Sequence, residues 1–147
     1  MKRTLEKLCE ELSRKFHNIN SGGCCVVAGE LSKYIPNSKI IVATYSSPSI
    51  DAVRNNVLNP LDKSEWTRNG MRFNHVAVQF IDKGVEYIVD SDDVYTVKAF
   101  TARWHPPAEG FLTTEEAVAL GESTTWNTMF CRSQIPGIFD TIREHLA

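Results

Sequence analysis

The run Phe73-Asn74-His75-Val76-Ala77-Val78-Gln79-Phe80-Ile81-Asp82-Lys83-Gly84-Val85-Glu86-Tyr87-Ile88-Val89-Asp90-Ser91 constrains the fold more than any other part of the chain. Two stretches rich in β-branched and aromatic residues, joined by a short polar connection, predict an antiparallel hairpin. A two-residue turn at Asp82-Lys83 sets His75 opposite Asp90 and gathers Val76, Val78, Phe80, Val85, Tyr87 and Val89 on one face. A slip of one residue would put Asp90 and Glu86 among those apolar side chains. The hydrophobic pattern therefore selects a register in which His75 and Asp90 share a face. A turn centred on Lys83-Gly84 keeps that parity with the pair diagonal, whereas a three-residue turn with Gly84 as a bulge would loosen it.

Helical patterns flank the hairpin. Leu5, Leu8, Cys9, Leu12 and Phe16 predict an amphipathic helix over residues 4 to 17 with Cys9 in the core. A loop from Asn18 to Gly23 leads into a second helix of about residues 24 to 35, with Cys24, Ala28, Leu31 and Ile35 on one stripe, ending at Pro36-Asn37. Ile40, Ile41, Val42 and Ala43 predict a buried strand closed by Ser46-Ser47-Pro48. Residues 49 to 70 have weak periodicity and read as an insertion or lid, with turns at Asn59-Pro60 and Asn69-Gly70. Thr96 to Phe100 reads as a further strand. Thr113-Thr114-Glu115-Glu116 has the form of a capping box opening a helix that Gly121 ends. Trp126 to Arg132 reads as helical, and Ile135-Pro136-Gly137 precedes a last helix.

These elements amount to an α+β chain. Its 147 residues fit a single domain, 1–147, large enough to bury a core without disulfide staples, with a helical extension over about 110–147. The 23% charged share has both signs interspersed, for a formal net charge of −2, and gives no footprint for nucleic acid. No apolar run approaches the ~20 residues of a bilayer span, and the N-terminal residues lack the apolar core of an export signal. The expectation is a cytoplasmic protein with Cys9, Cys24, Cys25 and Cys131 as thiols. A bridge between the neighbours Cys24 and Cys25 would need a strained ring.

Gly22-Gly23-Cys24-Cys25 lies where a flexible loop becomes a helix. The first turn of a helix carries N–H groups without intrahelical partners and the positive end of the macrodipole, which together favour a thiolate and can hold an oxyanion. Glycines let a substrate backbone come close. A thiol also needs a base, and the base needs an orienter. Cys24, His75 and Asp90 supply these parts in the chain order cysteine, histidine, aspartate. Asp92, on the same strand face, and Ser91 and Asp93 are further candidates for the orienter. On packing alone, Cys24 and Cys25 are small buried residues at a helix start, His75 caps a strand and Asp90 starts a turn. Cys24, Cys25 and His75 make a poor zinc site, because adjacent cysteines lack the C-x-x-C bite and a fourth ligand is not evident; no cofactor is implied. Of the tryptophans, Trp66, Trp104 and Trp126 read as core or groove walls, one of which shields the site.

The arrangement resembles the papain-like superfamily in its transglutaminase-like and cell-wall-amidase branches. It is similar to small, mostly uncharacterised bacteriophage proteins through Gly22-Gly23-Cys24, His75-Val76 and Asp90-Ser91, over roughly residues 18 to 92. The resemblance implies a papain-like fold with a central Cys-bearing helix packed on an antiparallel sheet. It implies nucleophilic catalysis by Cys24, His75 and Asp90, with hydrolysis of a peptide, isopeptide or amide bond. Papain-like peptidases place a glutamine six residues before the nucleophile; Asn18 stands at that offset and Asn20 is nearer, so both are candidates for the oxyanion donor. Cys25 instead fits the Gly-Gly-x-Cys spacing of arylamine N-acetyltransferases and is the alternative nucleophile. A protein or peptide substrate follows, in the host cytoplasm for a phage-encoded protein. Two other functions fit the same scaffold: an inactive module that binds a host protein, and a small-molecule N-acyltransferase. In either catalytic reading, Cys9 and Cys131 should lag behind Cys24 in alkylation.

Overall fold

The computed structural model describes residues 1–20, 22–44, 50–51, 73–122 and 130–147. Among them the chain runs α1 (Lys2–Lys15), α2 (Cys24–Ser32), β1 (Lys39–Thr44), β2 (Phe73–Asp82), β3 (Val85–Val89), β4 (Val94–Thr96), α3 (Val97–Arg103), α4 (Thr114–Glu122), a 3-10 turn (Arg132–Gln134) and α5 (Ile135–Leu146). The class is α+β, and the four strands form one antiparallel sheet in the order β1-β2-β3-β4. The turn at Ser46-Ser47-Pro48, nearly all of the expected lid, Trp66 and Trp126 lie outside the described residues.

α2 is the central element. Every residue from Cys24 to Leu31 is buried, as expected of a helix apolar nearly all round. The one charge in that run, Glu30, meets Lys33 at 3.0 Å. α2 belongs to the larger core, where Leu5, Leu8 and Leu12 of α1 and Ile138 and Ile142 of α5 join Val76, Val78, Phe80 and Val89 from one face of the sheet. The opposite face is closed by α3, with Phe100 packed among Ile41, Ala43, Ala77, Ile88 and Tyr95. The free edge of β1 is taken up by the chain before α4: Ala108 N–H donates to the Val42 carbonyl at 2.7 Å and Leu112 N–H to that of Ile40 at 3.0 Å.

The hairpin forms with the expected parity but turns at Lys83-Gly84 rather than Asp82-Lys83, since Asp82 pairs with Val85 and Val78 with Val89. Lys83 and Gly84 have φ of 51° and 77°, the geometry of a tight turn matched to strand twist, and glycine adopts it at little cost. Asp82-Lys83 would have put both positive φ values on residues with side chains. His75 and Asp90 are consequently diagonal, and Val85, expected in the core, is 48% exposed at the tip. The expected strand over Thr96 to Phe100 is corrected to three residues of β4 followed by α3. Thr96 accepts a hydrogen bond from Ala99 N–H at 3.1 Å and so caps a helix where β-branched composition implied extension. The capping box forms as read, with reciprocal bonds between Thr113 and Glu116 of 2.9 and 3.1 Å. α5 starts earlier than expected and includes Pro136 in its first turn, where a missing N–H costs nothing. Cys131 is extended rather than helical.

Candidate active site

The loop before α2 closes on itself. Gly23 N–H donates to the Ile19 carbonyl at 2.6 Å, and the Gly23 carbonyl accepts from Val27 N–H at 3.1 Å, so Gly23 ties Ile19 to the first turn of the helix. A Cβ on Gly23 would lie 2.7 Å from the Ile19 carbonyl oxygen and 3.0 Å from the Phe130 ring. The glycine before the cysteines thus makes room for the protein's own chain, a correction to the expectation that it admits a substrate backbone. No side chain caps the start of α2 and no acidic residue lies in its first turn, so its dipole acts on Cys24 without a compensating side-chain charge.

The two cysteines point to different surroundings. Cys25 packs toward α4, where a Cβ placed on Gly121 would lie 3.5 Å from the Cys25 Cβ. Cys24 interacts with the Cys25 thiol and with the ring of His75. His75 is fully buried on β2, next to a bulge where Ala43 pairs with His75 but Thr44 with Phe73; bulges re-aim the side chains beside them. Its Nε2 lies 2.8 Å from Asp90 Oδ2. Among the described residues its Nδ1 is buried without an aligned hydrogen-bond partner, although the Cys24 thiol is close enough for each group to shift the other's titration. Asp90 follows β3 and is 3% exposed. Its Oδ1 accepts from the N–H groups of Asp92 and Asp93 at 2.8 and 3.0 Å, which fixes the carboxylate while Oδ2 serves the ring.

These contacts set the charges. Hydrogen bonding from the Cys25 thiol leads in holding Cys24 well below the ordinary thiol range; burial opposes it, and His75 and the Val76 N–H add to it. Cys25 is pushed up by the neighbouring sulfur and by burial. Burial pulls His75 down, but Asp90 and Cys24 outweigh it and raise the ring to about 9. Burial would raise Asp90, yet His75 and the two backbone N–H groups hold it below the usual carboxylate value. These shifts all favour a thiolate, an imidazolium and a carboxylate in series. Between pH 8 and pH 6 iodoacetamide should therefore lose far less of its rate at Cys24 than the roughly hundredfold lost at an ordinary thiol. Peptide mass mapping reads the site, and a hundredfold fall at Cys24 would show a neutral thiol.

Of the two asparagines, Asn18 is exposed with φ of 56° and turns the chain after α1. Asn20 is partly buried: its Oδ1 accepts from Ser91 Oγ at 3.1 Å and its Nδ2 is buried without a partner among the described residues. Both border a cleft of about 320 Å³ between the end of α1, the following loop and Asp92. Asp92 pairs with Arg103 at 2.9 Å and Asp93 caps Val94 N–H at 2.8 Å, so neither takes the place of Asp90. His17 is exposed and His145 pairs with Glu11, both remote from Cys24 in their contacts. Among the described residues no group of three or more His, Cys, Asp and Glu side chains is placed to hold a metal ion.

Sequence reasoning named Trp104 as one of three core or groove walls, one of them shielding the site; its ring stacks on His75 at a centroid distance of 4.0 Å, and the Phe100 ring lies 6.1 Å from that of His75. It missed two donors from α1, Cys9 Sγ to the Asp90 carbonyl at 3.3 Å and Ser13 Oγ to the Ser91 carbonyl at 3.4 Å. The four-residue spacing of Cys9 and Ser13 on one helix face is the local signal for that pair. The expectation for Cys131 is corrected: it is exposed, and Ser133 at 3.0 Å lowers its pKa, so it competes for thiol reagents. Cys9 remains the slow thiol, buried and raised by burial and by Asp90. In comparison with known proteins, no family model, no curated protein and no solved structure matches the chain.

Proposed function

We propose that this chain is a thiol-dependent acyl-transfer enzyme with a papain-like fold, in which Cys24 is the nucleophile, His75 the acid and base, and Asp90 the orienter. The observation that carries the reading is the buried His75 ring, bound at Nε2 by Asp90 at 2.8 Å and, among the described residues, left without an aligned partner at Nδ1 beside the Cys24 thiol. A carboxylate that fixes one ring nitrogen leaves the other to exchange protons with the nucleophile and the leaving group. The Cys24 sulfur forms a bond to the substrate carbonyl carbon, and the C=O pair moves to oxygen. The Asn20 amide and the first N–H groups of α2 are the donors for that oxyanion. Collapse breaks the C–N bond as His75 protonates the departing nitrogen, leaving a thioester. Water, losing a proton to His75, then attacks the thioester, and the C–S bond breaks to restore thiolate and imidazolium. The substrate class is a peptide, isopeptide or amide, met in the cytoplasm.

The second reading, an inactive module that binds a host protein, draws support from burial, since His75 is wholly enclosed and Cys24 only 8% exposed. p-Nitrophenyl acetate separates the two in a Cys131→Ser background. An enzyme is acylated at Cys24 and releases nitrophenolate repeatedly, and Cys24→Ala removes both signals. Absence of any acetyl group at Cys24 in the folded protein would decide for the module.

A further inference from the structure

Ser91 is 1% exposed and sits directly after Asp90. Its carbonyl is held by Ser13, and the preceding carbonyl by Cys9. Both bonds come from α1, so the Ser91 side chain projects from a braced backbone. The Ser91 hydroxyl donates to Asn20 Oδ1 at 3.1 Å, which fixes the amide plane. With Oδ1 turned to Ser91, Nδ2 is left as a buried donor with no partner among the described residues, an arrangement that costs about 1–3 kcal/mol and calls for an explanation. Asn20 lies between Ile19 and Gly23, which the bond from Gly23 to Ile19 ties together just before Cys24. The contacts close a ring: Cys24 to His75, His75 to Asp90, Asp90 through the chain to Ser91, Ser91 to Asn20, and Asn20 through the loop back to Cys24.

We infer that Ser91 is a positioning residue that aims the Asn20 side-chain amide, so that Nδ2 donates to the oxygen of a carbonyl under attack by Cys24. The inference rests on the acyl-transfer reading above. It also gives the unpaired Nδ2 an occupant, since the developing oxyanion supplies the acceptor that the resting site lacks.

Two reagents of different chemistry test it. p-Nitrophenyl acetate reacts through a tetrahedral oxyanion: sulfur bonds to the carbonyl carbon, the C=O pair moves to oxygen, and collapse expels 4-nitrophenolate to leave a thioester. Iodoacetamide reacts by displacement of iodide at a saturated carbon and forms no oxyanion. In the full chain carrying Cys131→Ser, Asn20→Ala should slow acylation of Cys24 about a hundredfold, and Ser91→Ala about tenfold, while alkylation of Cys24 stays at the parent rate. The double variant should be no slower than Asn20→Ala alone, because Ser91 acts only through that amide. The unchanged alkylation rate also reports that each variant is folded. Acylation at the parent rate in Ser91→Ala, equal losses in both reactions, or multiplying losses in the double variant would each overturn the role of Ser91 and leave the enzyme reading standing. A parent chain that is alkylated but never acylated at Cys24 overturns the enzyme reading, and this inference with it.

Discussion

Replacing His75 with alanine should cost the domain about 3 to 5 kcal/mol and slow the alkylation of Cys24. The ring is fully buried, and its loss leaves Asp90, 3% exposed, without the partner of Oδ2. Only the two N–H bonds to Oδ1 remain to compensate the buried carboxylate. The space against Trp104 and Phe100 also empties, which adds a cavity. Against a total stability of about 5–15 kcal/mol, such a loss brings the domain close to unfolding. Cys24→Ala removes a single sulfur from a helix start and should cost about 1 kcal/mol or less. Burial therefore separates the two substitutions in their effect on folding. Urea unfolding of both variants measures the difference, and a cost below 1 kcal/mol for His75→Ala would show that the pair with Asp90 does not support the fold.

As pH falls from 6.5 to 4.5 the parent should lose stability that Cys24→Ala does not lose. The sign follows from proton counting. His75 has a raised folded pKa, so its contribution is full below about 6.5 and fades as pH rises toward 9. Cys24 has a lowered folded pKa, so its contribution is present at high pH and fades as pH falls. From about 6.5 to 9 the folded site holds one proton as imidazolium and thiolate, and the unfolded chain holds one as imidazole and thiol. The two slopes cancel there and the profile is flat. Below 6.5 the unfolded histidine takes up a second proton while the folded thiolate resists, so the folded state loses ground at up to about 1.4 kcal/mol per pH unit. Without Cys24 that acid slope disappears. Asp90, lowered in the folded state, adds a further loss below its ordinary range in both proteins. Urea midpoints at pH 4.5, 5.5 and 6.5 read the difference, and parallel profiles would mean that Cys24 is a neutral thiol when folded.

Features whose cause lies within a few residues were legible in the sequence. The face of α1 carried by Leu5, Leu8, Cys9 and Leu12, the capping box at Thr113 and Glu116, and the parity that joins His75 to Asp90 all follow from spacing along the chain. The turn was misplaced by one residue because alternation fixes parity without locating the positive φ values, which Gly84 decides. Val97 to Phe100 look extended by composition, but the Thr96 hydroxyl caps them as a helix and Phe100 packs on the sheet. What could not be read was long-range pairing: Trp104 against His75, Ser91 against Asn20, and Cys9 against the Asp90 carbonyl. Each joins residues whose types are common and whose meeting depends on the finished packing.

The partners of α1 have a consequence for how the chain reaches its structure. Leu5, Leu8 and Leu12 are buried in a core that also takes in Ile138 and Ile142, Cys9 binds a carbonyl 81 residues ahead, and Glu11 meets His145, 134 residues ahead. A helix of 14 residues is marginal in water by itself. During synthesis at about 5–20 residues per second, the first helix therefore waits several seconds for the strand and the helix that secure it, with its apolar face open to solvent. It gains its tertiary partners only once β3 and α5 have been made.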